Sequence, residues 1–401
     1  MASDGDAHGV GMKRLLVLAL YYPPDLSACA FRAVALVKAL KERAPGLAID
    51  VITSLPNRYQ SFGSPAPELE TDGTVTIRRL PMPAHRSDMV TQASSYVRFA
   101  WRAARQARLQ HYDLVFATSS RLMTAALGAW VSRRSGTVLY LDIRDLFRDT
   151  MGDILSPVAG SLVVPILSGV ERWTVRRAAK VNLVSPGFEA YFRRRHPALS
   201  LSFFTNGIDD DFLVPAGAER PPAGDRPMTV VYAGNIGEGQ GLHAIIPPLA
   251  SRLAGRARFR VIGDGGRRAQ LVNALQREGV SNVEIVPPMP RTGLLAEYQA
   301  ADVLFLHLNS YEAFTRVLPS KVFEYAALGK PIWAGVGGYA AEFLKCEVSN
   351  TAVFQPCDVS AGLDAWDRIS FGQTDREVFV RRYARRDIMR ELASDIAAHF
   401  P

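Results

Sequence analysis

Cysteine is scarce in this chain of 401 residues: Cys29, Cys346 and Cys357 are scattered and share no metal-ligand spacing. That argues against a disulfide framework or a cysteine-based metal site, and the expected home is a reducing cytoplasm. The histidines, His8, His85, His111, His196, His243, His307 and His399, form no metal spacing either. Long apolar runs are also missing. The longest, Ile154 to Val170, is interrupted by Pro157 and Pro165, and it is short of the roughly 20 residues that span a bilayer. The opening MASDGDAHGVGMKR lacks the layout of a signal peptide, and residues 1–12 read as a flexible N-terminus. No GxGxxG fingerprint occurs in the Gly-rich loops, which argues against a dinucleotide site. No stacking-aromatic or recognition-helix motif is present, so nucleic acid is not an expected partner.

What is present describes a folded protein of two domains. Apolar residues make up 48% and charged residues 21% of the chain, a globular balance, and the length suits two domains of about 200 residues each. Charge is divided unevenly. Residues 1–205 hold 26 Lys and Arg against 16 Asp and Glu, whereas residues 206–401 hold 21 against 23. A basic first half suits an anionic membrane surface or a phosphorylated substrate, with plain solubility as the simpler alternative.

Apolar runs alternate with helical periodicity along both halves. In the first, strands are expected at 13–20, 49–54, 75–80, 113–118, 138–142 and 181–184, with helices at 31–43, 96–109, 122–134 and 162–178. A polar, Pro-rich passage at 215–227 reads as a linker, and the alternation then restarts at Thr229 and runs to the strand at 332–335. Two mostly parallel, doubly wound sheets follow from this order. The tail, Arg381 to Phe400, reads as one amphipathic helix.

Ligands of such sheets bind beyond the carboxyl ends of the strands. In the second half those ends carry Gly234-Asn235-Ile236-Gly237-Glu238-Gly239-Gln240-Gly241, then Gly263-Asp264-Gly265-Gly266, then Pro287-Pro288-Met289. Glycines there let a backbone approach a ligand. Leu318 to Ile332, LPSKVFEYAALGKPI, reads as a helix capped by Ser320 and stopped at Gly329. A Pro-Ser-Lys turn at a helix N-terminus combines free N–H groups with the Lys321 ammonium and suits a diphosphate. Glu324, one turn further on, is placed to accept hydrogen bonds from a ribose diol. The same stretch is also compatible with a purely structural helix.

These motifs resemble the GT-B glycosyltransferases of family 4, over nearly the whole chain. TNGID at Thr205 to Asp209 looks like that family's interdomain segment, YAGNIGEGQGL and VIGDGG look like its two donor loops, and PSKVFEYAALGKPI is similar to its signature helix. LDIRDLF at Leu141 to Phe147 and Tyr21-Tyr22-Pro23-Pro24 resemble bacterial enzymes that transfer N-acetylated amino sugars, such as N-acetyl-fucosamine, in surface-polysaccharide synthesis.

The resemblance implies two Rossmann-like domains facing across a cleft: residues 13–205 for the acceptor, 206–380 for the nucleotide sugar, and a helix at 381–401 returning to the first domain. It implies retaining transfer from a UDP-linked donor without a metal. Donor-binding positions would be Gly234, Asn235, Gly237, Gln240, Gly263, Asp264, Gly265, Met289, Ser320, Lys321 and Glu324, with His307 lining the donor pocket.

The family's Glu, seven residues, Glu pattern departs here. Glu324 matches the second position, but the first is Arg316, and Asn235 and Gln240 stand where many relatives carry Arg and Lys. Arg316 or Arg267 is a candidate to restore the missing positive charge beside Lys321. Asp142 and Asp145 are expected at the cleft, for acceptor positioning or base work, unless Asp145 pairs with Arg144 or Arg148. Tyr22, Pro24, Arg32 and Arg144 are the acceptor-side expectations. Asp209-Asp210-Asp211 reads as an interdomain turn and not as a metal motif. The stripe Arg98, Arg102, Arg105 and Arg108 beside Trp101 reads either as a solvated helix face or, with the apolar 154–170 region, as peripheral contact of the first domain with the inner face of the cell membrane, which suits a polyprenyl-diphosphate-linked sugar as acceptor. Alternatives left by the residues are a sugar-nucleotide 2-epimerase of the same fold and a non-catalytic nucleotide-sugar-binding subunit.

Overall fold

The computed structural model describes residues 12–56, 65–82, 89–119, 122–213 and 226–401. The proposed linker therefore lies almost wholly outside the described residues. Strands β1 (Arg14–Leu18), β2 (Ala48–Ser54), β3 (Leu69–Asp72), β4 (Val75–Leu80), β5 (Leu114–Ser119), β6 (Val138–Ile143), β7 (Lys180–Leu183) and β8 (Leu201–Ser202) form one sheet. Its order is β3-β4-β2-β1-β5-β6-β7-β8. Only β3 runs antiparallel, along β4. The second sheet contains β9 (Met228–Asn235), β10 (Ala257–Asp264), β11 (Val283–Val286), β12 (Val303–His307), β13 (Ile332–Gly335) and β14 (Thr351–Phe354), all parallel, in the order β11-β10-β9-β12-β13-β14.

The inner strands are apolar without alternation because helices cover both faces. Leu15 to Leu18 and Leu114 to Ala117 are essentially inaccessible, as parallel strands between two helical layers must be. β3 escapes sequence reading for the opposite reason. Its Leu69, Glu70, Thr71 and Asp72 are all exposed, so no apolar face marks it. The helix Ala28–Arg43 starts where the Ser27 hydroxyl accepts the Ala30 N–H at 3.1 Å, and it ends on Lys41 and Arg43, which suit the negative end of its dipole.

The tail is not one helix. It divides into Glu377–Arg382 and Arg385–Ala397, because Tyr383 and Ala384 are drawn into a parallel bridge with Ile208. Ile208 N–H donates to the Tyr383 carbonyl at 2.7 Å and Arg385 N–H to the Ile208 carbonyl at 2.8 Å. In the last helix Met389, Leu392, Ala393 and Ile396 are buried against Leu36, Val37 and Leu40 of the first domain, an i, i+3, i+4, i+7 stripe.

Two buried guanidiniums fasten the crossings. Arg385 donates from Nε to the Asn206 carbonyl at 2.6 Å and pairs with Asp209 at 2.6 Å. Burial holds its pKa down, at about 10. Arg32, 2% exposed, donates to the Phe204 carbonyl at 2.8 Å and to the Thr205 carbonyl. Its Nη2 and Nε also meet Asp142 at 2.9 and 3.1 Å.

Asp142 is consequently no cleft residue. At 1% exposure it accepts from Arg32, from Thr118 Oγ1 at 3.0 Å and from Asn182 Nδ2 at 2.7 Å. Burial alone would raise its pKa, but Arg32, Arg144 and these hydrogen bonds outweigh that and hold it below the usual carboxylate range. Its stabilisation is thus present above the unfolded carboxylate pKa and is lost as pH falls through the lower folded value. Asp142→Ala strands a buried Arg32, so urea unfolding at pH 7 should report a loss of about 3–5 kcal/mol. A loss below 1 kcal/mol would contradict this role.

Candidate active site

A cavity of about 400 Å³ opens between the carboxyl ends of the two sheets, within the usual range for small-molecule sites. Its floor is bare backbone. Gly234 and Gly263 sit in register at the ends of β9 and β10. Gly263 has φ +148, and a Cβ there would be driven into the Gly234 carbonyl. Only glycine satisfies both constraints.

One wall is the helix Lys321–Ala327, whose stop is Gly329 at φ +67. Lys321 and Glu324 are three residues apart, hence on one face, and both line the cavity. The Lys321 side chain lies over Gly234, where an added Cβ would come within 2.5 Å of its Cε. Among the described residues Lys321 makes no ion pair and Glu324, 8% exposed, accepts no hydrogen bond. Ser320 lines the cavity but does not cap. Its φ −58 and ψ −29 are already helical, and its hydroxyl makes no capping bond.

The donor-loop residues separate into lining and frame. Gly234, Asn235, Gln240, Gly263 and Met289 reach the cavity. Asn235 Nδ2 donates to Gln240 Oε1 at 2.9 Å, so the two amides hold each other. Gly237, Asp264 and Gly265 shape the loops instead, with Asp264 Oδ1 accepting the Gly265 N–H at 2.8 Å. Arg267 cannot restore the missing charge, because it is engaged by Glu238 and Gln270. At the base, His307 Nδ1 donates to the Gln240 carbonyl at 2.7 Å, and Nε2 accepts the Cys357 N–H at 3.0 Å. A carbonyl only accepts and an amide N–H only donates, so the ring is neutral with its proton on Nδ1.

The opposite wall belongs to the first domain. Arg144 and Asp145, just past β6, line it. Arg144 Nη2 donates to Asn206 Oδ1 at 3.0 Å, while its buried Nη1 has no partner among the described residues. The remaining acceptor-side expectations lie elsewhere. Tyr22, 3% exposed, belongs to the first domain's core. Arg32 is spent on Asp142 and the crossing. Pro24 stays outside the lining, where Leu26, Ser27, Ala28 and Phe31 stand instead. Arg316 faces away as well, paired with Asp149 at 3.0 Å and Glu312 at 2.7 Å.

Sequence reasoning missed Arg291. It lines the cavity, stacks between Phe31 at 4.5 Å and Phe212 at 4.8 Å, and pairs with Asp209 and with Asp211 at 2.9 Å. Asp209 and Asp211, the two ends of the Asp209-Asp210-Asp211 run, are accordingly held in ion pairs. Only the Pro290-Arg291 helix start hinted at this position.

Burial lowers the His307 pKa to about 4, below its ordinary value near 6.5. The unfolded chain therefore binds more protons between these values, and stability should fall as pH drops from about 6.5 to 4, by about 3 kcal/mol from this group. Urea unfolding across that range should show the slope in the wild type and a flatter one in His307→Gln. Equal slopes would contradict the assignment.

Residues 28–206 match the family model "Glycosyl transferase 4-like domain", and residues 227–369 match "Glycosyl transferases group 1". Over 106 residues the chain is 34% identical to the Escherichia coli K12 protein named as the colanic acid biosynthesis glycosyl transferase WcaI. That match spans only 26% of each protein. Among solved structures, Anabaena HepE in complex with UDP and glucose superposes with a TM-score of 0.64 at 15% identity, covering 96% of this chain and 99% of that one. The trehalose 6-phosphate synthase of Burkholderia multivorans gives 0.68 at 16% identity, covering 96% of each. These neighbours share the two-sheet architecture with the cleft between. The two family models together take in both walls of the cavity, and the chain belongs to the GT-B glycosyltransferases.

Proposed function

We propose that the protein transfers an N-acetylated amino or deoxy sugar, with retention, from a UDP-linked donor to a polyprenyl-diphosphate-linked acceptor in bacterial surface-polysaccharide synthesis. The observation that carries this reading is the pair Lys321 and Glu324. Among the described residues the largely buried Glu324 carboxylate has no hydrogen-bond donor and Lys321 has no ion-paired anion, and such groups are costly in isolation. Both become satisfied when one ligand brings a diol and a diphosphate. HepE holds UDP and glucose in the same fold, and WcaI is named for colanic acid biosynthesis. Both support the assignment.

The chemistry follows from the two walls. Lys321 and the Gly234 and Gly263 backbone hold the diphosphate as its charge grows on leaving. The departing phosphate oxygen takes the proton of the acceptor hydroxyl arriving on the same face, so no metal is required. Phe314 and Val317 line the cavity beside the donor loop, an apolar wall that suits a methyl of a deoxy or acetamido group. Arg144, whose Nη1 has no hydrogen-bond partner among the described residues, suits the acceptor diphosphate, and Asp145 stands beside it to orient the acceptor.

The acceptor's lipid would meet the first domain. Val158, Leu162 and Ile166 recur every fourth residue along the helix Pro157–Arg177 and are 76%, 68% and 67% exposed. On the helix Met89–Ala107, Val97 and Trp101 are 65% and 59% exposed, and the Arg105 guanidinium lies 4.7 Å from the Trp101 ring. Apolar side chains among arginines suit an anionic lipid surface. No helix among the described residues is long and apolar enough to cross a membrane.

Nucleoside diphosphate release from a panel of nucleotide sugars, with and without a polyprenyl-diphosphate-sugar, tests the reaction. One donor should be consumed only with the lipid present, and Lys321→Ala should lower kcat by about 10²–10³. Donor binding without turnover would instead identify a nucleotide-sugar-binding subunit. Leu162→Asp should reduce co-sedimentation with anionic vesicles while leaving UDP affinity unchanged. Unaltered sedimentation would remove the membrane assignment.

A further inference from the structure

We propose that Arg316 is a positioning residue which latches the two domains beside the donor pocket. The inference rests on the reading of the cavity as the nucleotide-sugar site. Arg316 ends a short turn, Glu312–Arg316, in the second domain. That turn lies against the helix Phe147–Ile154 and the turn Pro186–Phe188 of the first domain.

Three bonds cross the boundary there. Arg316 Nη1 meets Asp149 Oδ2 at 3.0 Å, the Ala313 N–H donates to Asp153 Oδ2 at 2.9 Å, and the Ser185 hydroxyl donates to the Arg316 carbonyl at 2.6 Å. Arg148 on Asp149 and Glu312 on Arg316 complete an alternating row of two cations and two carboxylates. The approach is close: a Cβ on Gly187 would fall 2.5 Å from the Arg316 carbonyl oxygen and 2.8 Å from Tyr339 Cβ.

The latch reaches the pocket through its own residues. Phe314 in the turn and Val317 just after it line the cavity. Gly239 of the donor loop lies against the Phe314 ring, where an added Cβ would come within 2.9 Å of Cζ, and the Tyr311 hydroxyl donates to Glu238. Displacing the turn therefore displaces a pocket wall and the donor loop together. The cavity runs from Arg291 and Phe212, beside the crossings, to Phe314 and Val317, beside the latch. Where the family resemblance implies a carboxylate, this chain carries a cation that grips the other domain.

A mutant cycle tests this, using Arg316→Gln, Asp149→Asn and the double variant, with Gly187→Ala as an independent wedge. The readouts are UDP affinity by calorimetry, kcat and donor KM, and radius of gyration by small-angle X-ray scattering. Each single variant should weaken UDP binding by roughly two- to fivefold, with the double no weaker than either single. The radius of gyration should increase in all of them, including Gly187→Ala, and kcat at saturating donor should be nearly preserved. Arg316→Lys, which can still reach Asp149, should recover affinity. Additive losses, or a collapse of kcat with KM and dimensions unchanged, would overturn the latch and return Arg316 to the reacting diphosphate. If the wild type binds no UDP while the variants still expand, the cavity reading fails and the latch stands.

Discussion

Two buried arginines at the domain crossings carry the architecture. Arg32 and Arg385 are each 2% exposed, and each donates to main-chain carbonyls of residues 204–207. A buried guanidinium is tolerable only when its donors are satisfied and its charge is paired. Asp142 and Asp209 provide that pairing. The segment joining the sheets is thereby held in one path, and the final helix is tied to it. The facing strand ends, and hence the cavity, are set by this arrangement.

The cavity inverts that rule. At the crossings charges are paired; along the helix Lys321–Ala327 they are left open. Lys321 and Glu324 line a cavity floored by glycine backbone and make no side-chain hydrogen bond or ion pair among the described residues. Arg291, by contrast, is paired twice and sandwiched between aromatic rings, so it braces the wall without being free to bind. Unsatisfied charged groups are tolerated where a ligand can complete them, and Lys321, Glu324 and Arg144 all line this cavity.

How much of this was legible in sequence depends on the range of the interactions. The alternating order, the Gly-rich strand ends and the Lys321–Glu324 spacing are local signals: the first recurs in the two sheets, and the other two fall on the cavity. Asp142, Arg32 and Arg316 were expected to line the cavity and do not, because their partners are remote, and Tyr22 does not because it is buried in the first domain's core. Arg32 reaches Asp142 across 110 residues, and Arg316 reaches Asp149 across 167. A string shows the charge but not which charge it meets. The break at Tyr383 and Ala384 was invisible for the same reason, since it follows from pairing with Ile208. Arg267 failed as a substitute cation because Glu238 already holds it.

In the proposed reaction Glu324 holds a ribose diol while Lys321 holds the diphosphate. The most direct measurement is calorimetric binding of UDP and of 2′,3′-dideoxy-UDP to the wild type and to Glu324→Ala. The wild type should prefer UDP by at least about tenfold, the worth of a charge-assisted hydrogen bond, and Glu324→Ala should lose this preference while still binding the dideoxy compound. An equal preference in both proteins would contradict the assignment of Glu324, and with it the orientation of the donor in the cleft.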